Sequence, residues 1–586
     1  MLDILFVTPT ERLELRQESN GSMLLATKLL QAGFSVRLLR FGEDENYNKD
    51  YNGFVSNMVG KILDRAPACV SFYTVWPDYH VILKIAEEVK KRTPETCVVF
   101  GGPQASATAA ATMKAMPFVD YISSGEGENT VVPFFEAVLR GKGQVADVPG
   151  GWYRKDGMVA CNCTEQPLCD LNTLPYWDER LYCEDYPLDR EKMSAGGYYM
   201  PIDAGRGCPF NCTFCCTSHF WRRTYRLKST ERIIEDILYY KEKFGIRSFW
   251  FSHDAFTTNK KLVMAVCDRI IELGLDIQWR CTTRIDCITE ELIIKMKQAG
   301  LVQIEVGIET GSARMQKLTN KNLNLSMAKS KIQFMLQNKL EVGVFFMYGF
   351  PEETEEDLAD TLELQFSLLD MGVSYSTMSY CHFTPNTQIT QDSFDKLVLA
   401  PEIKVLGRGI FGFAEELPMI KANKEIFPHF YHLHTTVRDE YQYLVFLLHL
   451  YQRYPIAMQM IRKLYNGDNL QFYRDFCRRN QTCFAQDIDQ ITACISQRPV
   501  ELLGNVLDGL ETPYGSKLRG LLEYEYDLLQ VKNAEGDVSL QKTYDFSVLD
   551  LQRKRPIEAY KDVQSTILIE KKNGIREVRI LDIQSI

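Results

Sequence analysis

Three cysteines stand in the run Cys208-Pro-Phe-Asn-Cys212-Thr-Phe-Cys215, directly after the Gly-rich stretch Asp203-Ala-Gly205-Arg-Gly207. Thiolates this close on one short loop can each reach one iron of a cubane cluster. A fully protected 4Fe-4S cluster takes four cysteines, so three leave one iron open to an outside ligand. Soft thiolates suit iron–sulfur clusters or zinc, and structural zinc takes a fourth Cys or His. Cys216 follows Cys215 too closely to share the same metal. His219 could complete a zinc site of three cysteines and one histidine. The spacing leaves both metal chemistries open.

Such a loop needs a scaffold. Residues 198–388 repeat strand-plus-helix units six times, which predicts an open barrel of parallel strands. Strands are expected at Tyr198–Ala204, Ser248–Ser252, Ile277–Thr283, Val302–Ile308, Val342–Tyr348 and Ser374–Phe383. Barrels of this kind carry their sites at the carboxyl ends of the strands. There the sequence places His253-Asp254, Arg284-Ile-Asp286, Glu309-Thr-Gly-Ser312 and Gly349-Phe-Pro351-Glu-Glu-Thr354, with Glu305 inside the fourth strand. Plainer roles exist for each: Arg284 could pair with Asp286 on the rim, and Asp254 or Glu309 could cap a following helix.

Residues 1–143 alternate short apolar runs with helical stretches, the pattern of a doubly wound parallel sheet. Ligands of such sheets bind at the strand ends, where Gly-rich turns let backbone come close. Here those turns are Gly101-Gly102 and Gly125-Glu126-Gly127-Glu128. Residues 144–197 read as an irregular connector, and Cys161, Cys163, Cys169 and Cys183 within it fit no second metal pattern. Residues 389–586 read as a mostly helical substrate or cap domain. Its aromatic stripe (Tyr441, Tyr443, Phe446, Tyr451) has the spacing of a core face, and Asn573-Gly574 signals a hairpin. The fold class is thus α/β: a Rossmann-like domain, a central partial (β/α)6 TIM-like barrel and a mainly helical C-terminal domain.

The cysteine loop, with Phe214 before its third cysteine, resembles the cluster loop of the radical S-adenosylmethionine (SAM) superfamily, and Cys208, Cys212 and Cys215 match it residue for residue. In that family the open iron chelates SAM, whose cleavage yields a 5′-deoxyadenosyl radical. The blocks Trp279-Arg-Cys-Thr-Thr-Arg284-Ile-Asp, Glu305-Val-Gly-Ile-Glu309-Thr-Gly-Ser and Tyr348-Gly-Phe-Pro-Glu-Glu-Thr resemble its cobalamin-linked group. SAM needs an acceptor for its ammonium, a cation for its carboxylate and a carboxylate for its ribose diol. With Phe214, the residues Asp254, Arg284, Glu305 and Glu309 are the expected SAM contacts. The N-terminal layout, including Phe100-Gly-Gly-Pro-Gln-Ala and Gly125-Glu-Gly-Glu, is similar to a cobalamin-binding domain. This implies Thr8, Tyr73, Trp76, Gly101, Gly102, Gly125, Glu126 and Glu128 as cobalamin contacts. The Asp-x-His-x-x-Gly motif that supplies an axial histidine elsewhere is absent; the first loop reads Thr8-Pro-Thr-Glu-Arg12. Trp76 could cover the lower cobalt face, or merely pack the domain. The domain could also have kept its fold and lost its ligand. The resemblance covers roughly residues 1–388.

With 586 residues, 45% hydrophobic and 25% charged, the chain has ordinary globular composition and is long enough for three or four units. No apolar run is long enough to span a membrane, and the first residues lack a leader pattern. Seventeen cysteines without such a leader suggest reduced thiols and a cytoplasmic place. A net charge of −10 argues against a nucleic-acid partner, the run Arg222-Arg223-Thr-Tyr-Arg226-Leu-Lys228 being the local exception. The resemblance implies a cobalamin-dependent enzyme that methylates an unactivated carbon of a peptide, natural product or other small molecule. It also implies an electron donor such as flavodoxin or ferredoxin. Cyclisation, rearrangement or epimerisation on the same cofactors is the alternative. A methylthiotransferase acting on RNA is disfavoured by the acidic chain, and a zinc-stabilised cobalamin carrier is the non-catalytic rival.

Overall fold

A computed structural model describes the chain except residues 1, 10–19, 42–49, 165, 167, 183–198, 401–415, 486–487, 511, 535, 553, 555–556, 558–559, 562, 573 and 586. Residues 10–12 of the first loop, Cys183, Tyr198 and Asn573 therefore lie outside the described residues, as does most of the connecting stretch Ala400–Leu417. The chain divides into two compact units. One comprises Met1–Ile308, Gln316–Gly343 and Tyr380–His434; the other comprises Glu309–Met315, Val344–Ser379 and Thr435–Ile586.

The first unit opens with apolar runs that become β1 (Leu2–Pro9), β2 (Val36–Phe41), β3 (Pro67–Tyr73), β4 (Cys97–Gly101) and β5 (Tyr121–Ser123). They pair in parallel in the order β2-β1-β3-β4-β5. Helices α1 (Asn20–Gln31), α2 (Tyr51–Asp64), α3 (Tyr79–Arg92), α4 (Pro103–Ala115) and α5 (Val131–Arg140) alternate with the strands. Ile4, Leu5, Val70, Phe72, Val98 and Phe100 are all 0% exposed, as a sheet covered on both faces requires.

The region expected to be an irregular connector departs from that reading. Here β6 (Gly151–Lys155) and β7 (Met158–Cys161) add two antiparallel strands beside β5. Asp156 and Gly157, at φ 52° and 77°, form the two-residue turn between them, a twist that favours hairpins. Cys161 and Cys163, just after β7, are disulfide-bonded with Cα atoms 5.5 Å apart.

The barrel strands are β8 (Met200–Asp203), β11 (Ser248–Ser252), β12 (Gln278–Thr283), β13 (Leu301–Glu309), β14 (Glu341–Tyr348) and β15 (Tyr375–Tyr380). A short antiparallel pair, β9 (Gly205–Arg206) and β10 (Arg226–Leu227), lies between the first two in sequence. The six-stranded sheet has the order β15-β14-β13-β12-β11-β8, and the ladders from β8 through β13 are parallel. Alternation sorts the strand residues. Phe249, Phe251, Trp279, Cys281, Ile304, Val306 and Ile308 are 0–1% exposed. Between them Trp250, Arg280, Thr282, Gln303 and Glu305 point the other way and are half-buried. The expected six-unit open barrel is present.

The second unit holds helix Glu355–Asp370, headed by a capping box between Thr354 and Asp357. It also contains helices Leu444–Arg453, Pro455–Leu464, Asn469–Arg479, Pro499–Asp508 and Gly515–Asn533. Strands Val538–Tyr544, Val563–Lys572 and Ile575–Ser585 form an antiparallel sheet. Tyr441, Phe446 and Tyr451 are at most 5% exposed, so the aromatic stripe is mostly core.

Trp279 anchors the barrel. It is 0% exposed, stacks on Phe251 with ring centres 4.6 Å apart, and its indole N–H donates to the Ala299 carbonyl at 2.8 Å. Trp279→Ala is expected to cost about 3–5 kcal/mol, read as a lowered urea midpoint for the barrel.

Candidate functional site

The cysteine loop is shaped before any metal arrives. Gly207 precedes it at φ 82°, and a Cβ there would lie 2.0 Å from the Thr224 carbonyl oxygen, so only glycine fits. Backbone bonds then pin the loop: Thr213 N–H donates to the Thr319 carbonyl at 3.0 Å, and Ile389 N–H donates to the Thr213 carbonyl at 3.1 Å. Asn320 Nδ2 donates to the Asn211 carbonyl at 2.8 Å. Cys212 is buried, whereas Cys208 and Cys215 are half-buried. Burial, reinforced by the nearby charges of Cys215, Asp254 and Cys212, pushes the Cys208 thiol up to about 11. A cation at this loop would offset that penalty and release the protons. Among the described residues, no three of Cys208, Cys212, Cys215 and His219 bring their ligand atoms within 4.8 Å of one another. Three thiols on one short loop suit a cluster that leaves one iron open.

The expected SAM contacts fall in different surroundings. Asp254 opens into a cavity yet is ringed by protein, and burial pushes its carboxyl up to about 6. Arg284 is turned toward the cysteine loop: Nη1 lies 3.6 Å from Cys212 Sγ, and Nε and Nη2 donate to Asp286 at 3.1 and 2.9 Å. Its guanidinium also covers the Phe210 ring at 3.8 Å. The pairing of Arg284 with Asp286 is therefore real, in addition to the thiol contact. Glu305 accepts from Thr282 Oγ1 at 3.0 Å and from Gln303 Nε2 at 3.2 Å on the half-open strand face. Phe214 is half-buried within the cysteine loop. Glu309 ends β13 at φ 70° and falls in the second unit.

A cavity of about 1100 Å³ runs along the first unit. Tyr73, Gly101, Gly102, Gly125, Glu126 and Glu128 line it, and so do Asp203, Cys216, Trp250, Asp254 and Thr282 from the barrel side. Phe6, Val99 and Phe100 of the N-terminal sheet and Phe134 of α5 also line it. Gly102, at φ 94°, leaves the close approach that a Cβ would fill, 2.7 Å from the Thr74 carbonyl oxygen. A cavity of this volume, lined by apolar side chains and glycines, has room for a cofactor larger than a nucleotide. Thr8 and Trp76 are not among its lining residues. Trp76 instead packs against His382 and His429, with ring centres 5.0 and 5.6 Å away.

Two lining features escaped sequence reasoning. Gln166, in the supposed connector, donates to the Pro149 carbonyl at 2.9 Å and fills the space where Gly125 lacks a side chain. Arg206 is 8% exposed and engages Asp203, Glu126 and Glu128 at once. Burial works against the Glu126 carboxylate, yet Arg226 and Arg206 hold its pKa below the usual value. The signal was a charged residue two positions before Cys208, in a stretch otherwise built of small residues.

Comparison with known proteins follows the same division. The family model of the Radical SAM superfamily matches residues 202–364, and that of the B12 binding domain matches residues 11–134. An uncharacterised methyltransferase of Pyrococcus horikoshii is 28% identical over 312 residues, covering 53% of this chain and 65% of that protein. An anaerobic magnesium-protoporphyrin IX monomethyl ester cyclase of Rubrivivax gelatinosus is 26% identical over 318 residues, covering 52% and 55%. The chain thus spans less than two thirds of either relative. The solved structure of a radical SAM methyltransferase, TsrM from Kitasatospora setae, shares the fold with a TM-score of 0.56 at 14% identity, covering 69% of this chain and 79% of that one.

In the second unit, the Gly349-Phe-Pro-Glu-Glu-Thr turn has its own buried acid. Glu353 Oε2 accepts from the Gly349 and Phe350 N–H groups, and burial pushes its pKa from 4.5 up to about 8. The folded chain keeps a proton that the unfolded chain releases. The stability this proton contributes is full below about pH 4.5 and is lost as pH rises through about 8. Glu353→Gln should therefore gain on wild type by up to roughly 1.4 kcal/mol per pH unit across that window. Urea unfolding between pH 5 and 8 checks this, and parallel profiles for the two proteins would refute it.

Proposed function

Since the chain belongs to the radical SAM enzymes that carry a B12-binding domain, we propose that it is a cobalamin-dependent methyltransferase acting on an unactivated carbon of a small-molecule or peptide substrate. One observation carries this reading. A single cavity is lined both by the glycine turns of the N-terminal sheet and by barrel residues beside the cysteine loop. Transfer between two cofactors requires such a shared space.

When bound, the cluster with SAM supplies a hydrogen-abstracting radical and cobalamin supplies a transferable methyl group. The chain's own residues do the holding. Cys208, Cys212 and Cys215 grip the cluster and leave one iron open. Asp254, which lines the cavity, would accept from the SAM ammonium, and Glu305, held by Thr282 and Gln303, would be the carboxylate for the ribose diol. Arg284, bound to Asp286 and against Cys212, steadies the negative charge of the loop rather than reaching freely for the SAM carboxylate. Gly101, Gly102 and Gly125 line the cavity and would lie beside the bound cobalamin. Phe220, Trp221 and Trp250 line the barrel side of the cavity with apolar surface that excludes water. An electron donor such as flavodoxin or ferredoxin, and a cytoplasmic place, belong to the same proposal. Among the described residues no helix is long and apolar enough to cross a membrane.

Ring closure on the same cofactors is the second reading, favoured by the likeness to the anaerobic cyclase of Rubrivivax gelatinosus. Anaerobic reconstitution with iron, sulfide and hydroxocobalamin tests the first step. The expected result is about four irons and one cobalt per chain, with iron lost and cobalt kept when all three cysteines become alanine. Zinc in place of iron, or no cobalt, would overturn the reading. Methyl-labelled SAM then separates the two outcomes: label in the product supports methylation, and 5′-deoxyadenosine with unlabelled product supports ring closure.

A further inference from the structure

Sequence reasoning assigned Glu126 and Glu128 to the cofactor, but their carboxylates are already occupied. Arg206 Nη2 donates to Glu128 Oε1 at 2.6 Å, and its Nη1 donates to Glu126 Oε1. The same guanidinium donates through Nε and Nη2 to Asp203 Oδ2 at 3.2 and 2.9 Å. Arg226 Nη2 adds a second cation at 2.9 Å from Glu126 Oε1, while its Nη1 donates to the Cys169 carbonyl at 2.8 Å. Cys169 N–H returns a bond to Glu126 Oε2 at 3.1 Å. The side chains of Arg206, Glu126 and Glu128 are 8%, 4% and 5% exposed.

The placement gives this network its meaning. Glu126 and Glu128 belong to the turn whose Gly125 and Gly127 backbone lines the cavity on the N-terminal side. Arg206 lies two residues before Cys208, the first cysteine of the loop. One planar, multidentate side chain thus joins the glycine turn to the base of the cysteine loop. Buried ion networks of this kind contribute little net stability, since desolvation offsets their attraction, but they hold a defined geometry. Arginine's planar fork holds its acceptors in a fixed geometry, whereas a lysine ammonium is a freely rotating point charge.

We propose that Arg206 is a positioning residue that sets the separation of the cobalamin seat from the cluster loop, with Glu126 and Glu128 as its anchors and not as cobalamin ligands. The inference rests on the two-cofactor reading above.

The test uses the full chain, reconstituted with hydroxocobalamin, iron and sulfide, as wild type, Arg206→Gln, Arg206→Lys and the double variant Glu126→Gln/Glu128→Gln. Cobalt and iron content measure loading, hydroxocobalamin titration measures affinity, and EPR of the dithionite-reduced protein measures magnetic coupling between cluster and cobalt. The inference expects the double variant to hold cobalamin within about threefold of wild type. It expects that variant and Arg206→Gln to show broadened or altered coupling, with Arg206→Lys between them and wild type. A purely structural role would change loading without changing the coupling of the molecules that load. Unchanged coupling in every variant would overturn the inference, as would a tenfold or greater loss of cobalamin affinity in the double variant with coupling intact. Failure of the wild type to take up cobalt or iron would instead sink the two-cofactor reading itself, so the two failures are distinct.

Discussion

A parallel strand offers its following loop at one end only, because its neighbours run the same way, and this constraint organises the first unit. The N-terminal sheet and the barrel each gather their turns at their carboxyl ends. The cavity is lined from both sets: Tyr73, Gly101 and Gly125 on one side, Ser252, Asp254 and Thr282 on the other. Strand pairing fixes these positions. Trp250 stands opposite Arg280, and Arg280 opposite Gln303, so one face is packed while the other stays open and polar.

Electrostatics then separates groups that hold the scaffold from groups left for ligands. Asp203, Glu126 and Glu128 are satisfied by arginine, whereas Asp254 has its pKa raised chiefly by burial. The half-buried Cys208 thiol, with its raised pKa, stays protonated until a cation compensates it. His253 follows the opposite course: burial lowers its pKa to about 4, and Nδ1 accepts from the Ala255 N–H at 2.9 Å. The ring therefore stays neutral and braces the turn that presents Asp254.

Much of this was legible in the sequence, for identifiable reasons. Cysteine spacing is local information, and so are the apolar runs of the strands and the glycine turns. The hairpin at Asp156-Gly157 is legible too, since an Asp-Gly pair between Tyr153 and Val159 is a strong turn signal. The partners of Glu126 were not legible. Its arginines lie 80 and 100 residues away, and no local pattern distinguishes a carboxylate that meets a cofactor from one that meets a guanidinium. Trp76 illustrates the same limit: its position after β3 suggested a cofactor face, and its neighbours turned out to be histidines contributed from far along the chain.

The two-faced barrel strands have a further consequence. Residues such as Phe251, Trp279 and Ile304 are committed to packing, so replacing them disturbs the whole sheet. Trp250 and Thr282 alternate with such residues along the same strands and line the cavity instead. The chain therefore keeps its packing residues and its cavity-facing residues on interleaved letters of one text. The lining of the cavity can be rewritten at those positions while the fold reads as before.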